Sequence, residues 1–478
     1  MDETPGGKEM VKKGGFFSLI AAIDWSLIAF VFALCGLAFG YGAAMMQFRI
    51  FPYHQILNAK YAFESLGLLE DESVMMSINS IDEKAMPAPV VTTLDAAAGE
   101  ELLLVTGGPN QDAKHCPKFG CLAWIVDRKG AVKYSWPLDL EGLFGDADNF
   151  SGHASLGNFY PVGIQLQNDG TLIATFHGRN IYPYAVGIAH IGRKGEILWK
   201  KLDNAHHWLT TTEDGMILAP IQLRPKVKYL PGTSIVARCP TPVYDEGIRV
   251  YRPDGSTVKT LSALTTLSGS GFPGLLYGLR DDCDPIHLNS ADIITPAIAA
   301  NIPGVAAGDY LVSLREPSVI AILDQHDGHV KKLVAGRTAA QHSAHFLPDG
   351  SVVAFDNLGG VQAAGGSRIA RVNLNTGETT TLFPTVASKP VMPFYSSDGG
   401  HVSVSPDGKR LMISSKDESR DIEIDVATGK PLWTMTRILD IAPFMSGGDK
   451  AKPVAARMKS YGTYYVSPRQ AQALGLTG

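Results

Sequence analysis

Four residues within the stretch 284–357 combine types that do chemistry: a histidine two places before an asparagine (His287, Asn289), an arginine closing the run YLVSLR (Arg315) and a histidine in QHSAHF (His342). Other histidines stand at comparable places. His206 and His207 precede WLTTTEDGMILAP, His345 joins His342 before LPDGSVVAF, and His401 precedes SVSPDGKRL. Each lies upstream of a polar turn or an apolar run of one recurring kind, so structurally equivalent runs would make these side chains converge. A single buried histidine is more often hydrogen-bonded filler, but recurrence at one phase favours a shared site. Imidazoles ligate metals. A guanidinium among them argues against a cation, because its planar fork of donors suits sulfate, phosphate or carboxylate. The expectation is an oxyanion site with neither metal nor cofactor.

Two classes of turn must position these residues. DRKGAVKYSW, GRKGEILWKKL, RPDGSTVKTL, DQHDGHVKKLV, NLNTGETTTLF and DVATGKPLWTM each place a glycine (Gly130, Gly195, Gly255, Gly328, Gly377, Gly429) before an alternating strand. Between them fall NDGTLIATF, EDGMILAP, GDYLVSL, LPDGSVVAFD and SPDGKRLMIS, where a turn opens an apolar strand. Two hairpin turns per period mean about four strands per period, the signature of propeller blades. Six outer turns predict an all-β, six-bladed β-propeller over residues 101–440, whose inner strands face one axial funnel. A pair of sandwiches would not require the two classes to alternate throughout. Residues 441–478 are less patterned and either close the ring or dock beneath it.

With 478 residues, 45% hydrophobic and 19% charged, the chain can bury a large core. Its net charge of −5 gives no basic face for nucleic acid. Residues 25–48, WSLIAFVFALCGLAFGYGAAMMQF, carry no charge and are long enough to cross a ~30 Å hydrocarbon layer. A cleaved signal has a shorter apolar core, so a retained single-pass anchor is expected. Lys8, Lys12 and Lys13 precede the span while Arg49 and Lys60 follow it, which puts residues 1–24 in the cytoplasm and the body in the periplasm, on the inner membrane. Residues 49–100 read as a linker with a short helix. Export agrees with the cysteines: Cys35 lies in the span, Cys116 and Cys121 are the expected disulfide, and Cys239 and Cys283 are a second pair or two buried thiols.

HHWLTTTEDG, DPIHLNS followed by GDYLVSLR, QHSAHFLPDG with VVAFDN, and the closing GSRIARVNLNTGE and HVSVSPDGKRL resemble the bacterial arylsulfate sulfotransferases that work without a nucleotide donor. The likeness covers about residues 120–435. It implies a six-bladed propeller and ping-pong transfer of a sulfuryl group from a phenolic sulfate to a phenolic acceptor through a sulfohistidine. Carried over by motif, His342 is the nucleophile, Arg315 and His287 hold the sulfuryl oxygens, and His207 completes the pocket. Asn289, His206, His345 and His401 are the accompanying substrate-binding positions, with Phe394 and Tyr395 as aromatic walls. The segment SADIITPAIAANIPGVAA before Arg315 looks longer than the family hairpin. The alternative from another class is a non-catalytic propeller serving as a binding or assembly subunit with membrane-protein partners. A quinone-dependent dehydrogenase propeller lacks support, since the chain holds only six tryptophans and no tryptophan-docking repeat.

Overall fold

The computed structural model describes residues 24–48, 50–53, 55–56, 77–82, 84–147, 150, 156–179, 181, 184–224, 227–236, 243–279, 283–385, 392, 394–445 and 452–476. The chain divides into two compact units, residues 1–57 and 58–478. In the first, the uncharged span is one helix, Trp25–Phe48, with no buried side chain. Its 24 residues rise roughly 36 Å at ~1.5 Å each, enough to cross a bilayer.

The described residues of the second unit form six antiparallel sheets of four or five strands and one of three. Five of the six begin with Phe159–Leu166, Thr210–Thr211, Leu288–Ile293, His342–Phe346 and His401–Val404, each followed in order by its next three strands. The remaining sheet is composite. Leu103–Thr106, Cys121–Val126 and Val132–Pro137 take their first strand, Thr463–Tyr465, from the far end of the chain.

Contacts between first strands run around a closed ring. Trp208 N donates to Asn289 O at 3.3 Å, Ala344 N to Ser290 Oγ at 2.9 Å and Val402 N to Ser343 Oγ at 3.0 Å. The His401 ring lies 4.4 Å from Tyr464, and Gln470 just beyond the closing strand donates to Leu166 O at 2.6 Å. Gly163 then meets the strand that starts the circuit: a Cβ there would lie 2.2 Å from His207 O, so only glycine fits. This closed circuit of sheets is a β-propeller.

The local chemistry explains the strands. At the first outer turn Asp127 Oδ1 accepts from Lys129 N and Ala131 N (2.8 and 2.9 Å), and Gly130 takes φ +81°. The corresponding glycines of the other five outer turns also have positive φ, a region that costs most residues strain. Middle strands such as Tyr310–Leu314 and Val319–Leu323 are buried along their whole length because neighbouring sheets cover both faces, while outer strands such as Thr257–Ser262 remain partly exposed.

Three expectations change here. The stretch read as a linker supplies two strands: Ile78–Ile81 pairs with Ala455–Met458, and Val90–Thr93 adds a fifth strand beside Pro431–Thr436. Its expected helix falls largely outside the described residues. The segment after residue 440 does close the ring, so the body extends past the boundary read from turn spacing. The long segment before Arg315 folds as the short helix Pro296–Ala299 with its loop, tied off by Ile294 N donating to Asp309 O, and the flanking strands stay paired. Cys116 and Cys121 are bonded to each other. Cys283 is also disulfide-bonded, which removes the free-thiol reading for it; Cys239 lies outside the described residues.

A buried clasp joins the sixth sheet to the closing strand. Arg437 donates to Asp421 Oδ2 at 2.9 Å, Thr106 O at 3.1 Å and Thr463 Oγ1 at 2.6 Å. Asp421 in turn accepts from Ser460 and Thr463 hydroxyls.

Candidate functional site

At one mouth of the ring a cavity of about 260 Å³ is lined by His207, His287, Arg315 and His342, with His177, Tyr160, Tyr184, Trp208, Lys416 and Tyr461. Four residues singled out by sequence therefore share one wall system. The ring nitrogens of His207, His287 and His342 lie within 4.8 Å of one another. His207 and His287 hold φ of +51° and +50°, and Ala340 and Ser343 flank His342 with +57° and +52°. Left-handed backbone at non-glycine residues is uncommon and costs about 1–3 kcal/mol. Here it turns the start of each inner strand so that the imidazole leaves the sheet plane toward the axis.

Each of the three imidazoles is oriented from behind through Nδ1. His342 Nδ1 meets two acceptors, Asn357 Oδ1 at 2.7 Å and Ala340 O at 3.1 Å. Asn357 cannot turn around, because its amide nitrogen donates to Ser396 O (2.9 Å) and Gly399 O (2.6 Å). The proton of His342 must therefore sit on Nδ1, leaving the Nε2 lone pair free. His287 Nδ1 is held by Asp284 at 2.7 Å. His207 Nδ1 lies 2.6 Å from Nδ1 of His206. Burial first, then the neighbouring His287, pushes His342 down to about 3, while the bond to Asn357 opposes the shift. Burial likewise holds His207 and His177 well below the ordinary imidazole value. The nucleophilic, unprotonated form of His342 is thus the stable one at neutral pH.

Two cations share the cavity. Arg315 pairs through Nη1 with Glu316, and its Nε is buried without a partner. Arg315 N also donates to His287 O at 3.1 Å, which locks the two together. Lys416 pairs with Asp398. A trio of imidazoles alone would suit a transition metal, but a guanidinium and an ammonium beside it favour an anion.

Other expected site residues stand elsewhere. Asn289 is fully buried and donates to Gln341 O at 2.8 Å, so it fixes the backbone entering His342 and is not part of this cavity's lining. His206 sits behind His207, against Glu246. His345 and His401 line a second cavity of about 330 Å³ with Asp292, Thr210 and Gln165, and Trp208 stands between, its indole 6.1 Å from His342 and 5.5 Å from His401. Phe394 is fully buried between Phe355 and Phe383, and Tyr395 is exposed. The aromatic walls are Tyr160, Tyr184, Trp208 and Tyr461 instead. Asn357, Lys416 and Tyr184 escaped the sequence reading. The DN ending of VVAFDN was the one available signal, an amide following a buried strand directly opposite His342.

Residues 163–437 match the model of the family described as arylsulfotransferase (ASST). No curated protein matches. Among solved structures the chain is similar to a protein of unknown function from Bacteroides caccae, with 13% identity, 70% of this chain and 93% of that one covered and a TM-score of 0.42. TolB from Acinetobacter baumannii shows 10% identity, 76% and 66% coverage and a TM-score of 0.40. Virginiamycin B lyase from Staphylococcus aureus shows 14% identity, 56% and 67% coverage and a TM-score of 0.33. Such distant likenesses add nothing to the ring of sheets described above.

Proposed function

Because the chain belongs to the arylsulfotransferase family, we propose that it moves a sulfuryl group from a phenolic sulfate ester to a phenolic acceptor through a sulfohistidine at His342. The observation that carries this reading is the pinned Nδ1–H of His342, which leaves Nε2 as the only lone pair of that ring. In the first half-reaction Nε2 attacks sulfur, the N–S bond forms, and the S–O bond to the aryl ring breaks with its electron pair on the aryl oxygen. In the second, the acceptor oxygen attacks the same sulfur, the N–S bond breaks, and the imidazole lone pair returns.

Arg315, His287 and Lys416 offer donors to the sulfuryl oxygens as charge spreads over them, and their partners Glu316, Asp284 and Asp398 hold them in place beforehand. Tyr160, Tyr184, Trp208 and Tyr461 give a phenolic ring apolar faces. Asn289 serves from behind, by fixing the strand that carries His342. The uncharged helix Trp25–Phe48 supports anchoring on the inner membrane with the propeller in the periplasm, and the Cys116–Cys121 bond suits that oxidising compartment.

The test is incubation of purified protein with a chromogenic aryl sulfate, with and without a second phenol. Sulfated acceptor should form with the wild type and not with His342→Ala. Release of phenol that no acceptor accelerates would mean a sulfatase, and no turnover at all would favour the non-catalytic subunit.

A further inference from the structure

Behind the cavity a second layer of polar groups joins two of its lining residues. His207 shares a proton with His206 across 2.6 Å between their Nδ1 atoms. His206 Nε2 stands 3.7 Å from Glu246 Oε1 and completes no hydrogen bond. Glu246 Oε1 accepts from the Tyr184 hydroxyl at 2.5 Å and Gln222 Nε2 at 3.3 Å, while Oε2 has no partner. His206 and Glu246 are fully buried and stand behind the cavity's lining; His207 and Tyr184, the two ends, line the site. Inside the fold, a bare imidazole nitrogen thus stands just beyond hydrogen-bond length of a carboxyl whose second oxygen is itself unpartnered, between groups that reach the substrate.

We propose that Glu246 is a proton-storing residue, which supplies the departing aryl oxygen with a proton through His206 and His207 and recovers it from the incoming phenol. The inference rests on the sulfuryl-transfer reading. Such a store serves this layer because its imidazoles are short of protons: burial holds His206 at about 3 and keeps His207, with the neighbouring His177, well below the ordinary value. Glu246 is the opposite case. Burial first, then the Asp284 carboxylate, holds it well above the ordinary range, even though Tyr184 and Gln222 donate to it and the Leu288 N–H points at it. Beyond Tyr184, His206 and Asp284, charged or titratable groups near this layer include His177, His287 and Tyr244.

The proton steps balance. As the S–O bond breaks, His207 gives its Nε2 proton to the phenolate oxygen and takes the Nδ1 proton of His206, and His206 takes the Glu246 proton at Nε2. The products are a phenol and a Glu246 carboxylate. When the acceptor phenol attacks, the three transfers reverse and Glu246 is neutral again.

The experiment is single-turnover phenol release from a series of aryl sulfates by wild type and Glu246→Gln, which keeps the shape and loses the acid. A nitrophenolate leaves without help, whereas an electron-rich phenolate needs a proton, so E246Q should lose roughly 100-fold with electron-rich donors and less than about 3-fold with nitrophenyl sulfate. Equal losses across the series, or none, would overturn the store while leaving transfer intact. Wild type that transfers from no aryl sulfate would overturn the parent reading and the store with it. If E246Q does not fold, infrared spectra of wild type carrying carboxyl-labelled glutamate decide the matter: a labelled protonated-carboxyl band at neutral pH supports the store, and its absence overturns it.

Discussion

Replacing Asn357 by alanine would test the orientation of His342 without touching the reacting atoms. The amide oxygen is the shorter of the two acceptors on Nδ1–H, at 2.7 Å against 3.1 Å for Ala340 O. As Nε2 bonds to sulfur the ring becomes cationic, and a hydrogen bond to a charged group is worth about 1.5–3 kcal/mol. The Ala340 carbonyl keeps part of that, so a loss of about 1.5–2.5 kcal/mol is expected. That is roughly 10- to 70-fold in the rate of the first half-reaction. The same substitution strips a donor from Ser396 O and Gly399 O, costing the fold about 1–3 kcal/mol. Rates should therefore be read well below the melting transition, as the burst of phenol in single turnover. Donor affinity should hardly change. A folded N357A with wild-type burst rate, or with a defect confined to KM, would refute the claim that this amide selects the reactive tautomer.

Acid should destabilise the body for a calculable reason. His206 and His342 titrate at about 3 when folded and near 6.5 when unfolded, so between those values the unfolded chain binds more protons. Their contribution to stability then falls as pH drops from about 6.5 toward 3, by up to about 1.4 kcal/mol per pH unit for each group, and Glu246, whose carboxyl is raised by burial, offsets one such group above the ordinary carboxyl range. A urea midpoint that stays flat between pH 7 and 5 would contradict it. The rate of the first half-reaction should show no acidic limb near pH 6.5, because His342 stays unprotonated there; a limb at that pH would mean a solvated nucleophile. Chelators should leave transfer unchanged, and loss restored by a divalent metal would reassign the imidazole trio. Arg437→Ala, which strands Asp421 in the clasp, should cost about 3–5 kcal/mol in denaturant titration with little change in the cavity rates of the surviving folded protein. A periplasm-dependent phosphatase fused after residue 476 should be active in intact cells, and a silent fusion there would reverse the proposed orientation.

The turns were legible because their chemistry is local: an Asx side chain and a left-handed glycine need no distant partner, and all six outer glycines are found in that conformation. His207, His287 and His342 were legible through recurrence. His345 and His401 were misplaced for a geometric reason. Along the paired strand His342 stands opposite Phe355 and His345 opposite Val353, two positions apart across a bulge, which at about 3.3 Å per residue is roughly 7 Å of depth, past the Trp208 plug. Equal distance from a turn did not mean equal depth. Asn357 follows the strand paired with His342's own and acts from behind it, while Tyr184 and Lys416 come from other sheets, and only the packing of the ring brings those two to the mouth. Phe394 went to the core because a phenyl ring has no polar tip for a wet wall, unlike the tyrosines that stand there.

The strand Thr463–Tyr465 belongs to the sheet whose other members, Leu103–Thr106, Cys121–Val126 and Val132–Pro137, are made more than 300 residues earlier. During synthesis one side of Leu103–Thr106 must wait as an open edge until Thr463–Tyr465 has emerged. Tyr461, which completes the cavity wall, arrives at the same moment. A nascent chain therefore has no finished site until residue 463 has emerged, and a chain stopped before it leaves an unpaired strand exposed to its neighbours.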